Sequence, residues 1–472
     1  MTEPPADPPA EAEPTPTPTE TPVEVAPTEP PAEAEPTPTR TETPVESDPE
    51  TNPLESSAEE EPGPPPAVPV ATPQDSMDDQ PPPKPFAGTI IDFSYVDPYP
   101  ATRQALRAEA AKFAELTGIN IEFDFSFKLP TSGELPAPNA DVWYGKSTWI
   151  PSLVAYDYVL ELDDYVAQWD QWPDFYPNAV EDVTYQGHVY GIPLNTYHRG
   201  SVVFRPSRFE AAGLQPEPPS TWEELNESAR RLTIRDDREF FEQSGINLHH
   251  HTQVYEDWLI QAGGRPFNAD LSRPTNDTPE GHLALSQHVL HGLTDRSMPI
   301  DGMKSSIVNL HAFCAGRVAM QLLWPRDVTA CEQNAPFVFA DLSVGPPLQG
   351  PSQRGMQLYV DKYMASRWRR HHDAAFETIK YFSSPGPNYD INIFPNRFLP
   401  CRGAAAVFPL FESDPWRSLA DNTRYAQSRL IAPEHFAIEP AMSRWVEQSA
   451  LGQLSVDEAL RGMDREVAEI IA

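Results

Sequence analysis

Pairs of adjacent carboxylates are the residues in this sequence that most directly suggest chemistry. They occur at Asp163-Asp164 and Glu223-Glu224, and two carboxylates about 5–10 Å apart can hydrolyse a glycosidic bond. The first pair stands where a predicted helix ends, and the second lies in a predicted helix cap. The sequence contains no Gly-x-Ser-x-Gly, His-Glu-x-x-His or glycine-rich phosphate-binding motif. We therefore do not expect an enzyme.

Histidine and cysteine side chains raise the possibility of a metal site. The histidine run at 249–251 could supply imidazole ligands. Adjacent residues seldom converge on one ion, however, and no Cys, Asp or Glu spacing supports such a site, so we expect no metal and no cofactor. Three cysteines cannot form a disulfide scaffold. Cys314 and Cys331 could pair in an oxidising compartment, but the main expectation is that both, with Cys401, are small buried hydrophobic residues.

Composition and charge exclude several classes of partner. The chain has 472 residues, with 70 acidic and 34 basic side chains and a net charge of −36. Binding to nucleic acids or anionic membranes depends on clustered Lys and Arg, so neither partner is expected. No apolar run of about 18 residues, the length that spans a bilayer, occurs. A hydrophobic fraction of 39% is enough for a large core, and the length favours two or three domains.

Residues 1–86 differ from the rest of the chain. They hold 26 of the 56 prolines and carry 20 acidic against 2 basic side chains. The segment 8–17 recurs unchanged at 30–39, as part of a 22-residue duplication. Such a segment has too little apolar surface to offset the entropy of folding. The sequence therefore predicts a disordered Pro/Glu/Thr-rich spacer with a reach of roughly 50 Å.

The first residues leave the location of the protein open. Met1 is followed by Thr2-Glu3-Pro4, without a basic segment, an apolar segment or a cysteine that could accept a lipid. Read literally, this start indicates a cytoplasmic protein. A truncated start is the alternative, and it is favoured because a disordered spacer has an obvious use between a lipid anchor and a folded domain. We expect an extracytoplasmic protein, in the periplasm or at the cell surface.

From Gly88 onward, periodicity predicts alternating strands and helices. Residues 89–95 are rich in β-branched and aromatic side chains, which predicts a strand. Residues 101–116 carry an apolar stripe at i, i+4 and i+7 and end before Gly118, which predicts a helix. Period-two alternation over 119–125 predicts the next strand. A strand, a helix and a strand within about 40 residues indicate a parallel βαβ unit.

Further elements are predicted along the rest of the chain. They are a strand over 141–145, helices over 151–162 and 374–382, and helices capped by Thr221 and Ser455. Glu224 and Glu458 stand three residues after these caps and can reach back to them. The alternation predicts an α/β protein of about 385 residues, which exceeds one core, so we expect two domains.

A series of short motifs between Gly88 and Ala472 stands in an order typical of one protein family. In chain order they are Asp141-Val142-Trp143-Tyr144-Gly145, Tyr190-Gly191-Ile192-Pro193, Ala212-Gly213-Leu214, the Pro-Ser-Thr-Trp-Glu-Glu-Leu segment at 219–225, Ala262-Gly263-Gly264, and the segments 313–320, 345–347 and 451–460. This order resembles the extracellular solute-binding proteins of sugar ABC importers, of the maltose-, trehalose- and glycerophosphodiester-binding type. One such motif is weak evidence, whereas a series in register is strong.

The sequence departs from the family pattern at two positions. The Tyr-Asn that usually follows the hinge is Phe204-Arg205 here, and the usual glycine before Trp324 is missing, because Met320 leads to Gln-Leu-Leu. Both changes fall at the ligand end of the domain. The ligand therefore cannot be taken from any one relative.

The resemblance implies an α/β, two-lobed periplasmic-binding-protein type II fold with a hinge. The implied divisions are the spacer 1–86, a first lobe of 87–197 plus 319–357, and a second lobe of 198–318 plus 358–472. The implied crossings between the lobes lie near 197–200, 318–322 and 357–364. A ligand between the lobes contacts both of them only in the closed state, so it favours closure.

The resemblance also implies ligand-binding residues by position. Aromatic rings can cover the apolar face of a sugar ring, and planar polar groups can bind its hydroxyls. The residues at the matching positions are Trp149, Tyr197, His198, Arg199, His251, Gln253, Trp324, Arg326, Gln357 and Tyr359.

Several of these residues have a structural alternative. Trp149 and Trp324 either stack on the ligand or belong to the core, and Arg199 and Arg326 either bind the ligand or pair with carboxylates of this acidic chain. If both arginines face the cleft, a phosphate or carboxylate on the ligand becomes plausible through bidentate bonds. Trp222 is expected to pack beneath its helix cap.

The predicted function is therefore binding without catalysis. We expect a monomer that captures a mono- to oligosaccharide and delivers it to the membrane permease of an ABC importer. Two alternatives stay open: a ligand-binding sensor or adaptor for a receptor, and a binder of a sugar phosphate or glycerophosphodiester. A glycosidase is the least supported interpretation.

Overall fold

The computed structural model of the protein describes residues 84–96, 99–126, 139–305 and 310–472. The predicted spacer lies outside these residues except for its last three. Of those three, Phe86 packs against a hydrophobic core.

The described elements mix helices and strands along the whole chain, as expected for an α/β protein, but they come partly in runs of one type and do not alternate strictly. The first part of the chain forms β1 Ile90–Ser94, α1 Pro100–Thr117, β2 Asn120–Asp124, β3 Val142–Gly145, α2 Ile150–Ala155, α3 Asp163–Val166, α4 Pro177–Asp182, β4 Thr184–Tyr185, β5 His188–Val189 and β6 Ile192–Tyr197. The middle part forms β7 Ser201–Phe204, α5 Pro206–Ala211, α6 Trp222–Arg231, β8 Ile234–Arg235, β9 Phe241–Asn247, α7 Thr252–Ala262, α8 Pro279–Leu293, β10 Val318–Leu322, α9 Pro325–Asn334, α10 Pro336–Phe339 and β11 Ser343–Pro347. The last part forms β12 Met356–Gln357, β13 Tyr359–Ala365, α11 His372–Ser383, α12 Pro385–Asn388, α13 Phe394–Asn396, α14 Gly403–Ala406, α15 Trp416–Asn422, β14 Ala426–Gln427, α16 His435–Ala450 and α17 Val456–Ile471.

The first lobe is built on a sheet of strand order β2-β1-β3-β13-β6. Strand β1 pairs in parallel with β2 and β3, which confirms the predicted βαβ unit. Helix α1 buries Leu106 and Phe113 in the core of this lobe. The helix ends at Gly118, whose φ of 83° is left-handed and whose N–H donates to the Ala114 carbonyl, as the glycine predicts.

The second lobe is built on a sheet of strand order β11-β7-β10-β9-β8. Successive side chains of a strand face opposite sides of a sheet. Accordingly, Val202 and Phe204 pack into a core formed mainly with α6, α7, α8, α16 and α17, whereas Val203 packs into a separate core on the other side. Trp222 lies in the first of these cores, and its indole N–H donates to Gln261, as expected for a structural tryptophan.

The sheets divide the chain differently from the sequence-based division at 319–357 and 358–472. Strands β10 and β11 belong to the second sheet, because both pair with β7, whereas β13 belongs to the first sheet between β3 and β6. Periodicity identifies a strand but carries no information about its pairing partner. The chain leaves the first sheet after β6, supplies β7 to β11 to the second sheet, and returns to the first sheet at β13. The expected crossing near 318–322 is therefore wrong.

Three local expectations also need correction. Cys314 and Cys331 form a disulfide, whereas Cys401 is free and buried. The helix expected over 151–162 ends at Ala155. The Thr221 hydroxyl accepts from the Glu224 N–H as predicted, but the Glu224 carboxylate reaches the N–H of Ser220 instead of that of Thr221.

The second predicted cap forms completely, since Ser455 and Glu458 bond reciprocally at the start of α17. Within the described ranges, no helix combines the length and the apolar character needed to cross a membrane.

Candidate functional site between the lobes

Aromatic side chains gather where the chain passes between the two sheets. Tyr359 lies opposite Tyr197 in the antiparallel pair of β13 and β6, and their rings stack with centroids 5.3 Å apart. Trp324, directly after β10, meets the Tyr359 ring edge-on at 4.9 Å and the Tyr197 ring at 5.6 Å. Phe398 stacks on Tyr197 at 5.7 Å. We call these four residues the aromatic cluster.

Beside the cluster, the buried Asp361 carboxylate collects several hydrogen bonds. It accepts from the hydroxyls of Tyr144 and Tyr197 (3.2 Å for Tyr197), from the Asn195 amide at 3.3 Å and from the Lys146 ammonium at 3.3 Å. Burial and the nearby carboxylate raise the pKa of Tyr197 well above its ordinary value, so its hydroxyl stays protonated and donates. We call these five residues the Asp361 network.

Two arginines lie against the aromatic cluster. The Arg199 guanidinium is 5.0 Å from the centre of the Trp324 ring, and the Arg429 guanidinium is 5.0 Å from the centre of the Tyr359 ring. Arg429 also donates to Glu256 at 3.3 Å. The site therefore combines flat rings with cationic donors.

A cavity of about 330 Å³ extends along the interlobe region next to Arg429. Ser147 and Asp182 line it from the first lobe, and Asp270 and Leu271 line it from the second. The Ser147 hydroxyl donates to Asp182 at 2.7 Å. Small-molecule sites are commonly concave and of a few hundred Å³, so the size and position of this cavity suit a small polar ligand.

Other predicted residues lie in a hydrogen-bonded layer below the aromatic cluster. Gln357 accepts from the Tyr359 hydroxyl at 3.1 Å and donates to the Gln253 carbonyl at 2.6 Å. The Gln253 side chain donates to Glu439 at 2.9 Å. His251 caps α7 by accepting from the Gln253 N–H. The structure thus brings the start of α7 next to β12 and β13.

Three predicted site residues are placed away from this arrangement. Trp149 is 2% exposed and packs in the core of the first lobe, which favours its structural alternative. His198 is fully buried, and its Nε2 lies 2.9 Å from the Leu419 carbonyl oxygen. Arg326 is exposed on α9 and lies 3.7 Å from Asp327. For all ten residues named from the sequence, including these three, a contact with the ligand remains a prediction.

The histidine run at 249–251 does not form a metal-binding group with other described residues. His250 contacts His288 and the Ile300 carbonyl, and the His249 ring packs edge-on against His311. Burial lowers the pKa of His249 to about 4. These contacts explain the run as part of the packing around α7 and α8.

The sequence reasoning missed Asp361, Phe398 and Arg429. Asp361 had a usable signal, because a charged Asp-Lys pair interrupts the apolar run of β13. Phe398 and Arg429 lie in irregular segments far along the chain, and no local pattern distinguishes them.

Two α/β lobes, connected by repeated crossings and separated by an aromatic and polar site, define a two-lobed binding protein of the periplasmic type II fold. The family of bacterial extracellular solute-binding proteins matches residues 99–389. This match covers more than half of the chain, and the chain belongs to that family.

Solved structures share this fold. An ABC transporter solute-binding protein from Thermotoga lettingae, bound with α-D-tagatose, is 20% identical with a TM-score of 0.67, over 81% of this chain and 100% of its own. The sugar-binding protein MalE from Xanthomonas citri is 18% identical with a TM-score of 0.70, over 81% and 97%. Maltose-bound MalE3 from T. maritima is 18% identical with a TM-score of 0.63, over 80% and 99%.

Proposed function

We propose that this protein captures a mono- to oligosaccharide between its lobes outside the cytoplasm and delivers it to an ABC importer. The observation that carries the proposal is the aromatic cluster of Tyr197, Trp324, Tyr359 and Phe398, flanked by cations at the crossings between the lobes. Flat rings match the apolar faces of sugar rings, and the flanking donors match their hydroxyls.

Relatives of the same fold support this choice of ligand class. Solved structures of these relatives contain tagatose, maltose and mannobiose as bound ligands. Within this class, the residues of this chain at the interlobe site set the preference for one saccharide.

The proposed mechanism is ligand-driven closure without chemistry. The contacts of the first lobe come from Tyr197 and Tyr359, and those of the second from Trp324 and Arg199. Only the closed state makes both sets, so a ligand shifts the equilibrium toward closure in proportion to its extra contacts there. A permease then recognises the closed shape.

The carboxylate pairs support a role without catalysis. Glu224 caps α6, and Asp163 accepts a hydrogen bond from the Val189 N–H at 3.2 Å. Neither pair contributes to the aromatic cluster or to the lining of the interlobe cavity.

A thermal-shift screen of the full chain against mono-, di- and oligosaccharides tests the proposal. A bound saccharide at ~100 times its Kd is expected to stabilise the folded state by roughly 2.7 kcal/mol. Absence of a shift with every saccharide class would contradict the proposed function.

The variant Trp324→Ala tests the site itself. We expect it to weaken saccharide binding by about tenfold or more, because the Trp324 ring belongs to the aromatic cluster through its contacts with Tyr197 and Tyr359. Trp368→Ala is the matched control, since Trp368 is 68% exposed and its indole N–H donates to the Asp157 carbonyl of the first lobe. Titration calorimetry measures the saccharide affinity of both variants. If the two variants bind the saccharide equally tightly, Trp324 does not belong to the site.

A further inference from the structure

A buried arginine without a carboxylate partner lies at the first crossing between the lobes. Arg199 is 6% exposed, and its Nε and Nη2 atoms have no hydrogen-bond partner among the residues that the structure describes. Burying a charged group is costly unless a partner replaces its lost hydration. The described residues therefore leave the Arg199 cation at the first crossing without acceptors for two of its nitrogen atoms.

Other arginines of similar burial are paired. Arg205 donates from Nε to Asp341 at 2.9 Å, and Arg402 donates from Nε to Asp174 at 2.8 Å. Arg199, Arg205 and Arg402 are each at least nine-tenths buried. The guanidinium groups of Arg205 and Arg402 thus each have a carboxylate partner, whereas that of Arg199 has none among the described residues.

Acidic groups near Arg199 are engaged with other partners. Asp327 lies 3.0 Å from His311, and Glu439 lies 2.6 Å from His435. Asp257 accepts the Gln357 N–H at 2.8 Å, and burial raises its pKa to about 7. These acids influence Arg199 through space but form no bond with its Nε or Nη2 atoms.

The two free donors of Arg199 have the geometry of a fork. Nε–H and one Nη2–H project from the same edge of a planar guanidinium, the arrangement that binds both oxygens of a carboxylate. The Trp324 ring, 5.0 Å from the guanidinium carbon, supports this plane. The fork therefore lies beside the aromatic cluster, where a sugar ring would stack.

The charge count favours one negative charge on the ligand. Lys146 is balanced by Asp361 at 3.3 Å, and Arg429 by Glu256 at 3.3 Å. Among the described cations around the aromatic cluster, Arg199 alone lacks such a balance. A carboxylate supplies one negative charge and two acceptors, whereas a phosphate monoester supplies nearly two charges.

From these observations we propose that Arg199 binds the carboxylate of an acidic saccharide, so that the captured ligand contains a uronic acid. This inference rests on the proposed function and specifies its substrate class. The carboxylate bonds to the Nε and Nη2 donors while the sugar ring contacts Trp324.

Titration calorimetry on the full chain tests the inference with matched pairs of ligands. The probes are glucuronate and galacturonate with their neutral counterparts glucose and galactose, the corresponding uronic-acid disaccharides with neutral disaccharides, and glucose 6-phosphate. We expect a uronate to bind at least about tenfold more tightly than its neutral counterpart.

The variants Arg199→Gln and Arg199→Lys separate charge from the fork. Arg199→Gln is expected to weaken uronate binding by about tenfold or more and to weaken neutral-sugar binding by a clearly smaller factor, because a neutral hydroxyl forms only an ordinary hydrogen bond with the guanidinium. Arg199→Lys keeps the charge but not the fork, so an intermediate loss is expected. Arg238→Gln is the control, because the Arg238 side chain is 79% exposed in the turn between β8 and β9, and it is expected to leave both affinities unchanged.

The outcomes distinguish the inference from the proposed function. A neutral sugar that binds as tightly as its uronate, or a phosphate that binds more tightly, overturns the inference and leaves saccharide capture intact. Binding of no saccharide of either kind contradicts both. If Arg199→Gln weakens both ligand classes equally, the guanidinium does not recognise charge, and the inference is wrong.

Discussion

The two sides of the interlobe site treat their buried charges differently. On the first-lobe side, Asp361 accepts hydrogen bonds from four side chains, and neighbouring Lys362 pairs with Asp182 at 2.5 Å. At the first crossing, the guanidinium of Arg199 has two buried donors that find no partner in the described part of the chain.

The difference separates charges that stabilise the fold from the charge that we propose binds the ligand. A fully bonded network rigidifies its surroundings, and its removal leaves a partner unsatisfied. An unpaired buried charge destabilises the free protein, and a ligand that neutralises it gains affinity in return. Removing a buried charge on the first-lobe side should therefore lower the stability of the protein. Removing the Arg199 charge should instead raise the stability of the free protein and weaken ligand binding.

The largest effect is expected from breaking the Lys362–Asp182 pair. Lys362 is fully buried, and Asp182 is nearly so. Lys362→Met leaves the Asp182 carboxylate buried without its cation, which costs about 3–5 kcal/mol. Chemical denaturation measures the free energy of unfolding.

Lys380→Met is the control for this variant. Lys380 pairs with Glu377 on the surface of α11, and such a pair contributes less than about 1 kcal/mol. Equal losses in the two lysine variants would show that the buried pair does not hold the fold, and the contrast between the two sides would fail.

A pH-dependent effect of intermediate size is expected at His198. Burial lowers the pKa of His198 from 6.5 to about 4. The unfolded chain therefore binds the proton first as the pH falls. This contribution to stability is complete above about pH 6.5 and is lost between pH 6.5 and pH 4, by about 3 kcal/mol.

His198→Gln tests this contribution. Glutamine retains an N–H donor for the Leu419 carbonyl but does not titrate. We expect the difference in unfolding free energy between pH 7 and pH 4 to become smaller in the variant. An unchanged pH profile would show that His198 is not held neutral by burial.

The smallest effect is expected at Arg199 and has the opposite sign. Arg199→Met replaces an unpaired buried charge with an apolar chain of similar length, so the free protein should become more stable by about 1 kcal/mol. Thermal and chemical unfolding without ligand measure this change. A loss of stability as large as that of Lys362→Met would contradict the assignment of Arg199 to ligand binding.

Local patterns were sufficient for much of the fold. The apolar stripe of Leu106 and Phe113, with Gly118 after it, places α1 within one residue at each end. The cap at Ser455 begins α17 as expected. These features depend on neighbours a few residues apart, which the sequence displays directly.

The site was only partly predictable. Tyr197, Trp324 and Tyr359 were named from their positions in family motifs, and the structure brings their rings together. Phe398 and Arg429 had no motif, and Trp149, which had one, is buried in the core.

The sequence by itself determined the elements, their alternation and the family to which the chain belongs, because hydrophobic period, caps and motif order are short-range properties. The tertiary structure alone decided which sheet β10, β11 and β13 join and which buried charges have partners. Strand pairing and charge pairing join residues that are often more than a hundred positions apart, and their energies depend on burial that appears only when the chain has folded.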